Sequence, residues 1–315
     1  MPVADCQALG YVTRMYPALR SLFAPSLLAL LLAPASPLEA QARTPPLPPA
    51  VVKGTYTDDN AGALSLVDGI AWRSAAPPAT VVYLTTRPIA SAALGSACPM
   101  TEARALTLLR DAAWVEVAPD ASGASRFFTW GRTFGDSRGG RDTEMGDHKW
   151  TITLRTAPAG TIAGSVAYTD RGTFDFELPV RRPTIPETSG AQGYDDGPRE
   201  RPATPVAAKA FMAAYQAVRA AALAKDLQAF LAAQGFSAAQ IAAIRALPGI
   251  DDDFARLSLR FLETESKRGK PAFQGRRGAM TAEGANAEGK RFYNWYYLTR
   301  CGARYLLTTM AENAQ

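Results

Sequence analysis

One histidine, three cysteines and few lysines stand among the 315 residues of this chain, and no apolar run is long enough to span a membrane. Each shortage excludes something. With His148 as the single imidazole, a histidine-based zinc site would need cysteine or carboxylate ligands at matching spacing, and none is visible. His148 is a general base by residue type. It lies in Asp147-His148-Lys149-Trp150, at the mouth of a strand behind a loop rich in Gly, Arg and Asp, which suits an exposed strand-leading residue. Two frames of serine and phosphate chemistry are absent, S-x-x-K and G-x-x-x-x-G-K-[ST], and the single G-x-S-x-G string, Gly135-Asp136-Ser137-Arg138-Gly139, falls within a Gly-rich, loop-like stretch. The Gly-rich stretch 131–146 fits a long hairpin loop. Asp58-Asp59-Asn60 ahead of Gly62 fits a turn, and Asp251-Asp252-Asp253 fits the positive end of a helix dipole. No metal and no cofactor is expected, and no catalytic residue is assigned.

The longest apolar run, 22–33, is about a dozen residues broken by Pro25, short of the roughly 20 a spanning helix needs. Arg14 and Arg20 precede it, and small residues follow to Ala40-Gln41-Ala42. A positive n-region, an apolar h-region and an A-x-A site are the order of a secretory signal peptide. Residues 1–42 are therefore expected to be removed near Ala42, leaving a periplasmic or secreted chain without a transmembrane anchor. Asp5 and Cys6 suit an n-region poorly, so a start at Met15 competes with Met1. Cys6 precedes the apolar core and no cysteine stands near Ala42, which argues against a lipidated N-terminus.

Export gives the two remaining cysteines meaning. Cys98 and Cys301 are an even count in an oxidising compartment, so one disulfide between them is open, beside a free thiol pair or intermolecular bonding. A closed loop of some 200 residues would constrain the unfolded chain by about 4–5 kcal/mol in the entropy model. The formal net charge is +5 and 47% of residues are hydrophobic, enough for a packed core. Abundant Ala and Arg resemble the coding bias of a GC-rich bacterium. Basic charge invites nucleic acid, but export and the scatter of the charge argue against that partner. The densest basic patch is Lys267, Arg268, Lys270, Arg276 and Arg277. It is read as a solvated loop or as a contact for anionic envelope material.

Behind a Pro-rich lead-in at 43–50, short segments bounded by Gly, Pro and Asp predict strands at 51–57, 63–67, 80–86, 114–117, 127–130, 150–154, 162–168 and 174–180. The last two flank Asp170-Arg171-Gly172, a hairpin turn. One helical insert falls at 101–111. Residues 51–182 are expected to be an all-β domain, a sandwich or open barrel. The stretch 181–205 has five prolines, three glycines and no periodic apolar face, so 183–204 reads as an extended, protease-sensitive linker.

Residues 205–315 read as an α+β domain, helices packed on a curved antiparallel sheet. Thr204 suits an N-cap and Pro205 the first helical position, and Phe211, Tyr215, Val218 and Ala222 form the apolar stripe. Helices are expected at 226–234, from the Ser237–Gln240 capping box to Pro248-Gly249, and over 251–263. Strands follow at 273–280, 291–300 and 304–310. This region resembles the nuclear transport factor 2-like class. The residues that carry the likeness are Ala207-Ala208-Lys209-Ala210-Phe211-Met212-Ala213-Ala214-Tyr215 and Lys225-Asp226-Leu227. Gly289-Lys290-Arg291-Phe292 and Gly302-Ala303-Arg304-Tyr305-Leu306-Leu307 complete it. The resemblance implies a cone-shaped pocket between helices and sheet, and no particular activity. The two-domain layout is also similar to that of exported bacterial proteins of unassigned function.

The most aromatic stretch is the strand at 291–298. Phe292, Asn294, Tyr296 and Leu298 share one face and Tyr293, Trp295 and Tyr297 the other. If the first face lines a pocket, Asn294 and Tyr296 with Tyr215 would bind a small ligand; otherwise they form an ordinary core. Tyr293, Trp295 and Tyr297 would then pack on the β-domain or stay open as a partner surface. The expectation is non-enzymatic binding of an envelope component, small ligand or protein. A hydrolase or isomerase-like enzyme using the cone pocket is the alternative, and a purely structural envelope protein the third.

Overall fold

The computed structural model describes residues 50–58, 62–73, 80–119, 125–132, 142–144, 150–187, 201–202, 204–274 and 276–314. The signal segment, the lead-in up to residue 49, His148 and most of the expected linker lie outside the described residues.

The first half forms strands β1 (Val51–Asp58), β2 (Gly62–Ser65), β3 (Asp68–Arg73) and β4 (Thr80–Thr85), then helix α1 (Pro99–Leu109). Strands β5 (Ala113–Pro119), β6 (Ser125–Arg132), β7 (Asp142–Glu144), β8 (Trp150–Arg155), β9 (Thr161–Tyr168) and β10 (Gly172–Arg181) follow. They make one curled half-barrel sheet in the order β2-β1-β10-β3-β4-β5-β6-β7, with β8 and β9 continuing from β10. The long strand β10 is the branch point. Its middle lies between β1 and β9, antiparallel to both, and its end pairs parallel to β3 at Val180 and Arg181. Gly54 permits the close approach of β1: at φ +121°, a Cβ there would sit 2.4 Å from the Thr173 carbonyl oxygen.

Alternation sorts the side chains into two cores. Ala71, Val82, Leu84, Val115 and Val117 turn into the curl, where they meet Val52, Tyr56, Ile152, Val166, Phe174, Phe176 and Leu178. Ile70, Trp72, Val81 and Tyr83 turn the other way, toward α1 and the second half of the chain. The strand β3 was not foreseen from sequence. Buried on both faces, it has the uniform apolar character that hides the alternation of a half-exposed strand.

The second half opens with β11 (Arg201–Pro202), then helices α2 (Pro205–Leu223), α3 (Leu227–Ala233), α4 (Ala238–Arg245) and α5 (Ile250–Ser258). Strands β12 (Leu262–Arg268), β13 (Ala272–Gln274), β14 (Arg277–Asn286), β15 (Arg291–Cys301) and β16 (Arg304–Ala314) complete it. These form an antiparallel sheet in the order β11-β13-β14-β15-β16, with β12 on β14. The predicted cap and capping box are present: Thr204 accepts the Ala207 amide, and Ser237 and Gln240 bond reciprocally; Asp226, expected as the first residue of its helix, is instead the N-cap that accepts the Ala229 amide. The helix expected over 251–263 ends at Ser258, and Leu262 onward is the edge strand β12, whose charged sequence LETESKR resembles an exposed helix face.

The larger core crosses the boundaries expected at 182 and 205. It gathers Trp72, Leu106 and Leu109 with Phe211, Tyr215, Phe230, Phe254, Phe261, Tyr296 and Leu306, and residues 46–315 form one compact unit. Polar contacts tie the same junction. Cys98, the N-cap of α1, is bonded to Cys301 at the end of β15, with Cα atoms 6.0 Å apart. Buried Glu102 accepts from the Gly95 amide at 2.5 Å and from Gln240 at 2.9 Å, and pairs with Arg304. Asp253 of α5 receives Arg87 and Arg110, each at 2.8 Å, and also Arg256. The first residues of the expected linker are docked: Thr184 and Ile185 donate to the Ser96 and Ala97 carbonyls. Glu187 accepts the Met100 and Thr101 amides at the start of α1. Burial pushes the Glu187 carboxyl up to about 7, against those two N–H donors.

Candidate functional site

Strands β14, β15 and β16 carry the residues singled out from sequence, and alternation divides them. On the helix side, Tyr215, Asn294 and Tyr296 are brought together, but within packed core: each is at most 1% exposed. The Tyr215 and Tyr296 rings lie 4.9 Å apart, and Phe261 stacks on Tyr296 at 5.6 Å. Gly278 makes room for the Phe211 ring, whose carbons lie 2.4 Å from where a Cβ would stand. The Asn294 amide donates to the Arg260 carbonyl at 2.8 Å and to the Tyr296 hydroxyl at 3.2 Å, while its Oδ1 has no partner. The Tyr215 hydroxyl donates to Glu265, which also pairs with Arg219 at 3.0 Å and with Arg268. Burial pushes the Tyr296 phenol up to about 12 and raises that of Tyr215 well above its ordinary value. Neither hydroxyl is poised to exchange protons near neutrality.

The other face is different. Tyr293, Trp295 and Tyr297 stand in a row along β15, each half-buried. The Tyr293 and Trp295 centroids are 5.9 Å apart and edge to face; Trp295 and Tyr297 are 6.1 Å apart with planes only 12° from parallel. Arg277 extends the row, its guanidinium 3.9 Å from the Tyr297 centroid. The register explains why the row stands proud. Tyr297 lies between Ala279 and Thr309, Trp295 between Thr281 and Ala311, and Tyr293 between Glu283 and Asn313. Short side chains on both flanking strands leave Trp295 and Tyr297 as a ridge with low shoulders, and Glu283 and Asn313 border Tyr293. Thr309, Ala311 and Asn313 are exposed. Lys267, opposite Glu283 in the β12–β14 pairing, pairs with that carboxylate at 3.0 Å, and exposed Arg291 stands two residues before Tyr293.

The basic patch read as one cluster is thereby split. Lys267 and Arg277 flank the aromatic ridge. Arg268 turns toward the helices, pairing with Glu265 and lying 5.5 Å over the Tyr215 ring. Lys270 and Arg276 are exposed between strands. Sequence reading missed the shoulders Ala279, Thr281, Thr309 and Ala311, and also Arg291, because only strand register reveals which residues flank the ridge.

Among the described residues no cluster of His, Cys, Asp or Glu could hold a metal ion, and no helix is long and apolar enough to cross a membrane. That last point and the Cys98–Cys301 bond are compatible with an exported protein. Comparisons with protein-family models, with curated proteins and with solved structures returned no match to this chain.

Proposed function

We propose that this chain is an exported, non-enzymatic binding protein of the bacterial envelope, and that the outer face of β14, β15 and β16 makes the contact. One observation carries the proposal: three aromatic side chains are kept in a row at the surface, where burial would stabilise the protein more. Aromatic side chains supply large contact area at low entropic cost, and Tyr and Trp add a polar edge. The pocket alternative draws on Tyr215, Asn294 and Tyr296, which lie in packed core and offer a ligand no exposed surface.

Co-sedimentation of the chain from Arg43 to Gln315 with bacterial envelope fragments tests this. The wild type is expected in the pellet. Trp295→Ala with Tyr297→Ala should cut retention at least tenfold without lowering the melting temperature by more than a few degrees. Equal retention of wild type and variant would remove the outer face from the function.

A further inference from the structure

Resting on that reading, we infer that the ligand of the outer face is a glycan strand bearing acidic groups, laid along β15 with its sugar rings against Trp295 and its neighbours. Three features of the surface select it.

The first is shape. The ridge of Tyr293, Trp295 and Tyr297 runs along one strand; Trp295 and Tyr297 are flanked by nothing larger than Ala279, Thr281, Thr309 and Ala311, and Tyr293 by Glu283 and Asn313. Such a track accepts an extended chain, whereas a small molecule prefers a concavity. A globular partner needs about 800 Å² of its own surface with an apolar centre, and here the aromatic width is a single strand.

The second is the mixture of polar groups. Thr281 and Thr309 offer hydroxyls, Asn313 an amide and Glu283 a carboxylate, all within one strand of the ridge. Sugar rings present apolar C–H faces that gain dispersion against aromatic rings, and hydroxyl edges that both donate and accept. Hydroxyl, amide and carboxylate partners beside aromatic rings match both parts. A membrane surface would meet no continuous apolar area here.

The third is charge. Arg277 caps one end of the ridge, and Lys267 and Arg291 stand at the other. These cations favour acidic substituents at the two ends of the track.

The test uses the chain from Arg43 to Gln315 with polygalacturonate, an acidic glycan, against neutral dextran, oligothymidylate and phosphatidylglycerol vesicles. Envelope fragments with and without periodate, which cleaves sugar diols, form the second arm. Polygalacturonate is expected to bind at least tenfold tighter than each of the other three probes. Trp295→Ala should weaken it at least tenfold and Trp295→Phe threefold or less. Lys267→Ala with Arg291→Ala should weaken binding and flatten its salt dependence. Periodate should abolish retention on the fragments. Dextran binding as tight as polygalacturonate, or tighter binding of the oligonucleotide or vesicles, would overturn the inference. If Trp295-dependent retention survives periodate, a glycan with vicinal diols, such as a polyuronate, is wrong while the binding role stands. If retention never depends on Trp295, both fall.

Discussion

The two faces of strands β14, β15 and β16 are built from alternate residues of the same segments, yet they solve opposite problems. Toward the helices, Met280, Ala282, Tyr296, Leu298 and Met310 are sealed from water, and the phenol of Tyr296 finds its partner in Asn294. Toward the outside, Tyr293, Trp295 and Tyr297 stay half-exposed and stack on one another and on Arg277. Aromatic content alone therefore does not separate core from surface in this sheet. What separates them is the neighbour: the rings of Tyr215 and Phe261 cover Tyr296 and that of Phe211 fills the space over Gly278, whereas small residues border Trp295 and Tyr297. Stability is concentrated on one face, and the proposed contact lies on the other.

Truncating the inner ring gives the sharpest contrast. Tyr296→Ala removes a fully buried ring from contact with Tyr215 and Phe261 and should cost about 3–5 kcal/mol, as buried aromatic deletions do. Urea unfolding followed by circular dichroism measures this. A cost under about 1 kcal/mol would mean that the inner face is not the sealed core described.

Alkaline titration should separate the faces next. The Tyr296 phenol is held to about 12 in the fold by burial, against an ordinary value of 10.0. The folded state keeps its proton more tightly than the unfolded chain does. Its contribution is thus complete below pH 10 and is lost as pH rises through about 12. Two pH units correspond to about 2–3 kcal/mol. Buried Tyr215, displaced in the same direction, adds to the slope. Tyr296→Phe should flatten the decline of stability above pH 10, measured by urea midpoints across that range. An unchanged slope in this variant would show that its phenol reaches water in the native state.

Much of this division was legible in the chain before any coordinates. The alternation from Phe292 to Leu298 already separated the two aromatic sets, and the Thr204 cap and the Ser237–Gln240 box fixed where two of the helices begin. Strand β3 was not legible, because burial on both faces erases the alternating signal. Strand β12 was lost for the opposite reason: an edge strand of charged residues carries little apolar pattern. The ties between the halves, Glu102 with Arg304 and Asp253 with Arg87 and Arg110, join residues far apart in sequence that no local rule pairs. The ridge and its shoulders belong to the same class of information. Trp295 can be nominated from composition, but that Thr281 and Ala311 flank it follows from register alone.

The smallest expected effect is the one that tests the division most directly. Trp295→Ala removes a larger side chain than Tyr296→Ala does, one residue away on the same strand. If bulk decided the cost, the two losses would be similar. Trp295 leaves no sealed cavity when truncated, because its flanks are Thr281 and Ala311 and its upper surface already meets water. What it gives up is edge-to-face contact with Tyr293 and stacking near Tyr297, each worth about 0.5–1.5 kcal/mol at most in buried pairs and less where water competes. A cost near 1 kcal/mol is therefore expected, several-fold below that of Tyr296→Ala. Combining the two substitutions adds a further check. Their side chains leave the strand on opposite faces and share no contact, so their costs should add to within about 0.5 kcal/mol. A strong departure from additivity, measured by urea unfolding of both single variants and the double variant, would show the two faces to be coupled through β15. Binding and core stability could then not be assigned to separate sides of the sheet.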